Sequence, residues 1–224
     1  MRVLGDAYHG VRRRVTDLVS AAGADAVLRV APATPDWTVK DNLAHLVGIT
    51  ADIVDGNLDG VGTDPWTAVQ VEARRTHDLA ELLAEWDTHA SAVEAMVDQF
   101  GRAGCQLVTD AATHEHDIRG AFERPGARDS DAVQIGFDFV GTALGASLDA
   151  AGIGGLRVEH DAGITTFGAN DPTSTLRTTR FEFLRATTGR RSPAQVAAYD
   201  WNGGTPPEGL VLGLFTARAE PLDD

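Results

Sequence analysis

The feature that most constrains the fold is an amphipathic helix pattern that begins at Thr38. The Thr38 hydroxyl can cap the first backbone amides of a helix, and Asp41, three positions later, completes a capping-box pair. Apolar residues then recur at helical spacing, at Val39, Leu43, Leu46, Val47, Thr50, Ile53, Val54 and Leu58. This spacing predicts one helix from Thr38 to about Leu58 with an apolar stripe along one side.

Comparable patterns predict further helices in the first two-thirds of the chain. A first helix is expected from Tyr8 to Ala22, a third, whole or broken, from about Pro65 through Phe100, and a fourth from about Gly104 to Phe122. Four helices of this length predict a helical bundle. A loop rich in Pro, Gly and charges at Arg124–Ser130 precedes another apolar helix, Ala132–Ala151, which we expect to complete or brace the bundle.

The pattern changes at Gly152, where three glycines interrupt the helical spacing. Two short strands are predicted next, then two helices and a last helix or edge strand, at Leu156–Glu159, Ile164–Phe167, Thr173–Thr188, Ser192–Tyr199 and Leu210–Phe215. We therefore predict a bundle over residues 1–151 and a small α+β domain over residues 152–224.

Composition excludes several classes of function. The formal net charge of −14 argues against nucleic-acid binding, which needs clustered Lys and Arg, and 43% apolar residues suffice for a core. No apolar run reaches the roughly 20 residues of a membrane span, and the first residues lack a signal-peptide pattern. Cys105 is the one cysteine, so no internal disulfide can form. We expect a cytoplasmic protein with neither a nucleic-acid nor a membrane partner.

A histidine on the predicted second helix lies away from its apolar stripe. His45 is about 140° around the helix from the middle of the stripe, at about 100° per residue. Asn42, Ile49 and Asp52 share its side, so this face is mixed and can border a cavity between helices. A single helix histidine is more often a surface or hydrogen-bonded residue than a ligand, so His45 alone indicates little.

A second group of chemically active residues lies on the predicted fourth helix. Asp110 and His114 are four positions apart and point the same way, so with His45 they can form a three-ligand metal site with open positions. Asp117 lies near the same face and can orient a ligand by accepting a hydrogen bond. His116 is about 200° from His114, so we expect it to be exposed and not a ligand. Spacing alone favours the alternative of a charged, solvated helix face.

The segments around these residues resemble a known family. Trp37–Gly48 resembles the W-T-V-x-D-x-x-x-H-L opening of the mycothiol-dependent maleylpyruvate isomerase family, within the larger DinB-like group. Thr113–Arg119 resembles the family's H-x-x-D-I-R segment, and the Arg-Pro-Gly loop follows at 124–126. Phe181–Ser192 and Trp201–Gly203 are similar to the F-x-x-L-R-x-x-x-G-R-R-S and W-x-G patterns of the family's second domain. The resemblance covers most of the chain.

The resemblance implies a DinB-like four-helix bundle that holds a divalent metal, usually zinc. Carried over to this chain, the ligands are His45, Asp110 and His114, with aspartate where better-known members have glutamate. It also implies a low-molecular-weight thiol, which is mycothiol in actinobacteria, and a small electrophile as partners. The expected function is thus a thiol-dependent transferase or isomerase. A non-catalytic metal-binding or sensor protein and a metal-dependent hydrolase remain as alternatives, because all three would use the same ligands.

Two further positions are weaker candidates. Arg190 and Arg191 can bind a carboxylate or a sugar hydroxyl, although exposed arginines after a helix end at Gly189 more often serve solubility. We retain Arg190 as a speculative contact to the thiol or substrate. Trp37 either lines a substrate pocket or packs back onto the start of the helix as a hydrophobic staple, and the pattern favours the staple.

Overall fold

The computed structural model of the chain describes residues 4–203, 210–213 and 215–224. It contains two compact units, one that ends at Gly126 and includes Asp224, and one from Ala127 to Asp223. Each unit has its own architecture. No helix in the described ranges combines the length and the apolarity that a membrane span requires.

The N-terminal unit is a four-helix bundle, as the sequence predicts. Its helices are α1 Leu4–Ala22, α2 Val39–Asp55, a short α3 Asp64–Ala73, α4 Leu79–Met96 and α5 Arg102–Ala121. Helices α1 and α2 each pack against both α4 and α5, and α3 packs against α2. A short hairpin of β1 Val30–Ala31 and β2 Thr34–Thr38 leads directly into α2. Two helices of the predicted site, α2 and α5, are therefore neighbours.

The start of α2 follows the predicted capping box. The Thr38 hydroxyl accepts a hydrogen bond from the Asp41 amide at 3.1 Å, and the Asp41 carboxylate accepts one from the Thr38 amide at 2.8 Å. The helix ends at Gly56, whose φ of 75° is the left-handed conformation that favours glycine. It is therefore slightly shorter than the predicted span to Leu58.

The predicted third helix is broken into α3 and α4. A second capping box starts α4, in which the Asp78 side chain accepts from the Glu81 amide and the Glu81 side chain accepts from the Asp78 amide. A 3-10 helix, Val97–Phe100, follows α4, and Gly101 then separates it from α5. The capping box at Asp78 therefore starts α4 as a helix separate from α3, and the 3-10 helix with Gly101 ends it before α5.

The C-terminal unit is a small α+β domain. Its elements are α6 Asp131–Ala150, β3 Gly155–His160, β4 Gly163–Phe167, β5 Pro172–Arg177, α7 Arg180–Thr187, α8 Pro193–Ala197 and β6 Asp200–Gly203. The strand order is β4-β3-β5-β6, with β3 and β5 parallel and the other pairs antiparallel. Apolar residues of α6 and α7 share a core with the inner face of this sheet.

The position of α6 differs from the sequence prediction. The sequence places the helix with the bundle and the boundary after Ala151, whereas the compact units divide between Gly126 and Ala127. The reason is packing, because Phe137 and Leu144 of α6 join Leu156 of β3 in one buried cluster. The apolar stripe that predicts this helix cannot indicate which partner covers it.

Two other predictions of secondary structure differ in the C-terminal unit. The helix predicted over Thr173–Thr188 is wrong in its first half, where β5 pairs with β3 and β6. Alternating buried positions at Ser174 and Leu176 suit a strand with one covered face. The segment predicted as a helix or edge strand includes Leu214, which lies outside the described residues, and its described part, 210–213 and Phe215, forms neither.

Candidate metal centre

The bundle brings His45, Asp110 and His114 together. His45 lies on α2, and Asp110 and His114 lie one turn apart on the neighbouring helix α5. One ligand atom from each side chain lies within 4.8 Å of the other two. The three residues that the sequence selects therefore form a single cluster between two packed helices.

The Nε2 atoms of both histidines face the same carboxylate. His45 Nε2 lies 3.5 Å from Asp110 Oδ2, and His114 Nε2 lies 3.7 Å from Asp110 Oδ1. Zinc ligands at about 2.1 Å in a tetrahedral arrangement are about 3.4 Å apart, so these separations suit one ion. The histidine side chains are 5% and 8% exposed and that of Asp110 is 34% exposed. The cluster is thus more exposed at the Asp110 side chain than at its imidazoles, although Asp110 Oδ2 itself is buried.

Hydrogen bonds determine which nitrogen of His114 is available. Its Nδ1 lies 2.9 Å from Asn42 Oδ1 and 3.0 Å from Asp117 Oδ2. The Asn42 amide nitrogen donates to the Thr38 carbonyl at 2.9 Å, which directs the Asn42 oxygen toward His114. Because both groups accept, they favour a hydrogen on His114 Nδ1, and in the neutral imidazole Nε2 then presents its lone pair. The structure thus contains the predicted contact with Asp117, and the role of Asp117 in orienting a metal ligand stays a prediction.

His45 is hydrogen-bonded to a residue of α3, a helix that no sequence pattern connects with the site. Its Nδ1 lies 2.8 Å from Oε1 of Gln70, on α3, and the Gln70 amide nitrogen donates to Asp52 Oδ2 at 2.7 Å. Because Asp52 shares the His45 side of α2, the sequence indicates a polar group on that side. The sequence does not indicate Gln70, because no local pattern shows that α3 packs beside His45.

Trp37 lies beside both histidines. Its ring centroid is 5.3 Å from that of His45 and 5.7 Å from that of His114, and the second pair is stacked at 29°. The fourth helical position, which would complete a hydrophobic staple, holds Asn42. Trp37 therefore lies against the candidate metal ligands, and the position that the predicted staple would use is polar.

The prediction that His116 is exposed is wrong. His116 is buried, at 3% exposure, within a continuous buried stretch of α5. Its angle relative to His114 excludes a shared ion but does not report which elements cover the helix, and α5 packs against both α1 and α2.

The two arginines after α7 have different surroundings. Gly189 ends α7 with a φ of 80°, and its amide bonds the Ala186 carbonyl while the Arg190 amide bonds the Arg185 carbonyl, a Schellman motif. Arg191 is buried and donates to both carboxylate oxygens of Glu182 at 2.8 Å, so its predicted exposure is wrong. Arg190 donates to the Thr188 carbonyl at 2.7 Å, and its contact with a thiol or substrate stays a prediction.

These contacts define a class of protein, a helical bundle with two imidazoles and one carboxylate converging in its interior. Such a donor set suits Zn²⁺ and other divalent transition metals, and three protein ligands leave positions for a substrate. Residues 7–123 match the sequence profile of the DinB superfamily, DinB_2, over more than half of the chain. The chain belongs to the DinB superfamily.

Two solved structures share this fold. The first is a histidine-to-alanine mutant of the mycothiol-dependent maleylpyruvate isomerase, with a TM-score of 0.62 and 9% identity. The second is a crystal structure of the mycothiol-dependent maleylpyruvate isomerase, with a TM-score of 0.55 and 12% identity. Each match covers 91% of this chain and 93% of the other. No match was found among curated protein sequences. At these identities the likeness shows a common fold.

Proposed function

We propose that this protein is a metal-dependent transferase or isomerase that uses a mycothiol-type thiol to act on a small electrophile. The observation that carries the proposal is the convergence of His45 Nε2, His114 Nε2 and the Asp110 carboxylate. The proposed metal is zinc. The choice of thiol is supported by the shared fold with a mycothiol-dependent isomerase and by the family resemblance of the segments that carry the three ligands.

The two histidines and the carboxylate have separate roles in this proposal. His45 and His114 are neutral nitrogen ligands, and Asp110 contributes one negative charge, so the site favours a divalent cation with a remaining positive charge. When bound, such a cation stabilises a thiolate at neutral pH and can polarise an electrophile. Asp117 and Asn42 keep His114 Nε2 directed toward Asp110 by accepting from Nδ1.

Trp37 and Asp110 define the accessible side of the proposed site. The Trp37 ring stacks on the His114 imidazole and lies tilted, at 55°, against the His45 imidazole, so it offers an apolar surface beside the site that can pack against a ligand. The Asp110 side chain is the most exposed of the three, although its Oδ2 atom, which faces His45, is buried. We therefore propose that thiol and electrophile approach from the Asp110 side and contact Trp37.

A metal-binding experiment tests the shared basis of all candidate functions. Purified protein is equilibrated with zinc, and its metal content and zinc affinity are measured for the wild type, His45→Ala and His114→Ala. We expect one zinc per chain in the wild type and an affinity more than about 100-fold weaker in each variant, beyond the typical loss for an outer hydrogen-bond partner. His89→Ala, on α4, is the matched histidine control. Equal stoichiometry and affinity in all four proteins would contradict the site.

A second experiment tests the reaction. Zinc-loaded protein is incubated with mycothiol and maleylpyruvate, and then with mycothiol and a panel of small electrophiles, and products are identified by mass spectrometry. We expect a thiol-dependent isomer or conjugate that His114→Ala does not form. Product formed without thiol, by cleavage of a bond of the substrate with water, would replace the proposal with a hydrolase. Zinc binding without thiol binding or product would favour the non-catalytic sensor.

A further inference from the structure

The helix α3 approaches α2 very closely beside the candidate metal centre. A Cβ atom at Gly48 would lie 2.5 Å from Gln70 Cβ and 2.8 Å from Gln70 Cγ, closer than real contacts allow. Gly48 lies three residues after His45, on a neighbouring part of the α2 surface. The missing side chain at Gly48 therefore provides the space in which Gln70 reaches His45.

The C-terminal end of α3 is anchored by Arg74, one helical turn after Gln70. Arg74 donates from Nη1 to the Gln70 carbonyl at 3.1 Å and pairs through Nε with Glu85 of α4. Gln70 itself is 2% exposed. The Gln70 backbone is thus fixed by Arg74, and the Gln70 side chain lies in the space that Gly48 leaves open.

The direction of the Gln70 amide follows from its second partner. The Asp52 carboxylate accepts a hydrogen bond at 2.7 Å, so the atom of Gln70 that faces it is the NH2 group. The carbonyl oxygen of the same amide then faces His45 Nδ1 at 2.8 Å. An acceptor at that distance requires a hydrogen on Nδ1, and in the neutral imidazole this leaves the lone pair of His45 on Nε2, toward Asp110.

We infer that Gln70 is a positioning residue that sets the tautomer and orientation of His45, and that Asp52 and Gly48 in turn set Gln70. The expected consequence of this positioning is tighter metal binding, and that consequence rests on the proposed function. The hydrogen-bond effect on His45 does not depend on a metal. His114 has two acceptors at Nδ1, so its orientation is less dependent on any one side chain.

The first test measures the tautomer of His45 in metal-free protein. Long-range ¹⁵N–¹H NMR correlations distinguish Nδ1–H from Nε2–H imidazoles in the wild type, Gln70→Leu and Gly48→Ala. We expect Nδ1–H in the wild type and a mixture with Nε2–H in both variants, although Gly48→Ala removes no polar group. Gln106→Leu, an exposed glutamine on α5, is the matched control and should retain the wild-type spectrum.

The second test measures zinc affinity by competition with a chelator. Gln70→Leu should weaken binding by about 10–100-fold, the range for loss of an outer partner of a histidine ligand, and Gln106→Leu by less than about twofold. The double variant Asp52→Asn/Gln70→Glu keeps an acceptor at His45 Nδ1 and supplies a donor from position 52. It should restore both the Nδ1–H tautomer and most of the affinity, which a merely structural role for Gln70 does not predict.

The outcomes separate this inference from the proposed function. An Nδ1–H tautomer unchanged in folded Gln70→Leu and Gly48→Ala would overturn the positioning role, whether or not zinc binds. If both single variants fail to fold by circular dichroism, the double variant decides, and loss of the Nδ1–H tautomer there would also overturn it. A wild type with the expected tautomer but no zinc binding would contradict the proposed function and leave the role of Gln70 in orienting His45 intact.

Discussion

Carboxylates in the two units face different kinds of partner. In the C-terminal unit, the Arg180 guanidinium donates to Asp161 Oδ2 while the Arg180 backbone amide donates to Oδ1, and the Arg191 guanidinium donates to both carboxylate oxygens of Glu182. In the N-terminal unit, the Asp110 carboxylate faces two imidazole nitrogens. A guanidinium compensates a carboxylate within the protein, whereas a carboxylate and two imidazole lone pairs together suit an added cation.

The same difference exists along a single helix. Glu115, next to His114 on α5, is buried and accepts from Arg14 at 2.8 and 2.6 Å and from Arg119 at 2.9 Å. Asp110 lies on the same helix but is one-third exposed and faces histidines. Glu115 is thus paired with two arginines within the bundle, whereas Asp110 and the two histidines form the cluster for which we propose a metal.

The largest expected effect is the loss of stability when the ion pair between Arg180 and Asp161 in the C-terminal unit is broken. Arg180→Ala removes three side-chain hydrogen bonds, to Asp161 and Gln134, and should lower the free energy of unfolding by about 3 kcal/mol. This is the lower end of the range for a broken buried pair because Asp161 is partly solvated. Urea unfolding with hydrogen exchange of the α7 amides measures it. Arg177→Ala, at an exposed pair with Glu159, is the control and should change stability by less than about 1 kcal/mol.

The next largest effect is stabilisation of the N-terminal unit by metal. Zinc at about 100 times its dissociation constant should raise the free energy of unfolding by about 2.7 kcal/mol. Asp110→Ala should remove most of that increment, while Asp55→Ala, an exposed aspartate at the end of α2, should retain it. Differential scanning calorimetry with and without zinc checks both variants. An equal increment in Asp110→Ala would mean that zinc stabilises the protein from another site.

The smallest effect is the acid sensitivity of the Arg180 pair. Hydrogen bonds from Arg180 lower the pKa of Asp161 from 3.8 to about 2. Stability from this pair is therefore fully present above about pH 4 and is lost as the pH falls toward 2, because the unfolded chain takes up the proton first. After allowance for solvent screening, the loss should be about 1–2 kcal/mol. The stability difference between the wild type and Arg180→Ala, measured by urea unfolding from pH 5 to pH 2, should shrink by that amount; a constant difference contradicts the assignment.

The sequence predicts those parts of the site that depend on local geometry. The capping box at Thr38 predicts where α2 starts, and the four-residue spacing of Asp110 and His114 predicts a common face because the helical period is local. That His45 joins them depends on which helices pack together, and the family resemblance supplied that pairing. Their role as metal ligands remains a prediction.

The parts that the sequence does not predict depend on contacts between distant elements. Gln70 reaches His45 only because α3 packs closely at Gly48, and no pattern within α3 encodes that approach. The burial of His116 and the inclusion of α6 in the C-terminal core have the same origin. An apolar or polar face can be read from helical spacing, whereas the element that covers it is determined by the tertiary structure.

Anomalous X-ray diffraction at the zinc edge, from crystals of the zinc-loaded protein, is the most direct test of the proposed metal centre. We expect one strong anomalous peak per chain in the N-terminal unit, within bonding distance of His45 Nε2, His114 Nε2 and a carboxylate oxygen of Asp110. The same experiment on His114→Ala should lose that peak. Zinc bound elsewhere, with no anomalous density among these three side chains in the wild type, would contradict the proposed centre.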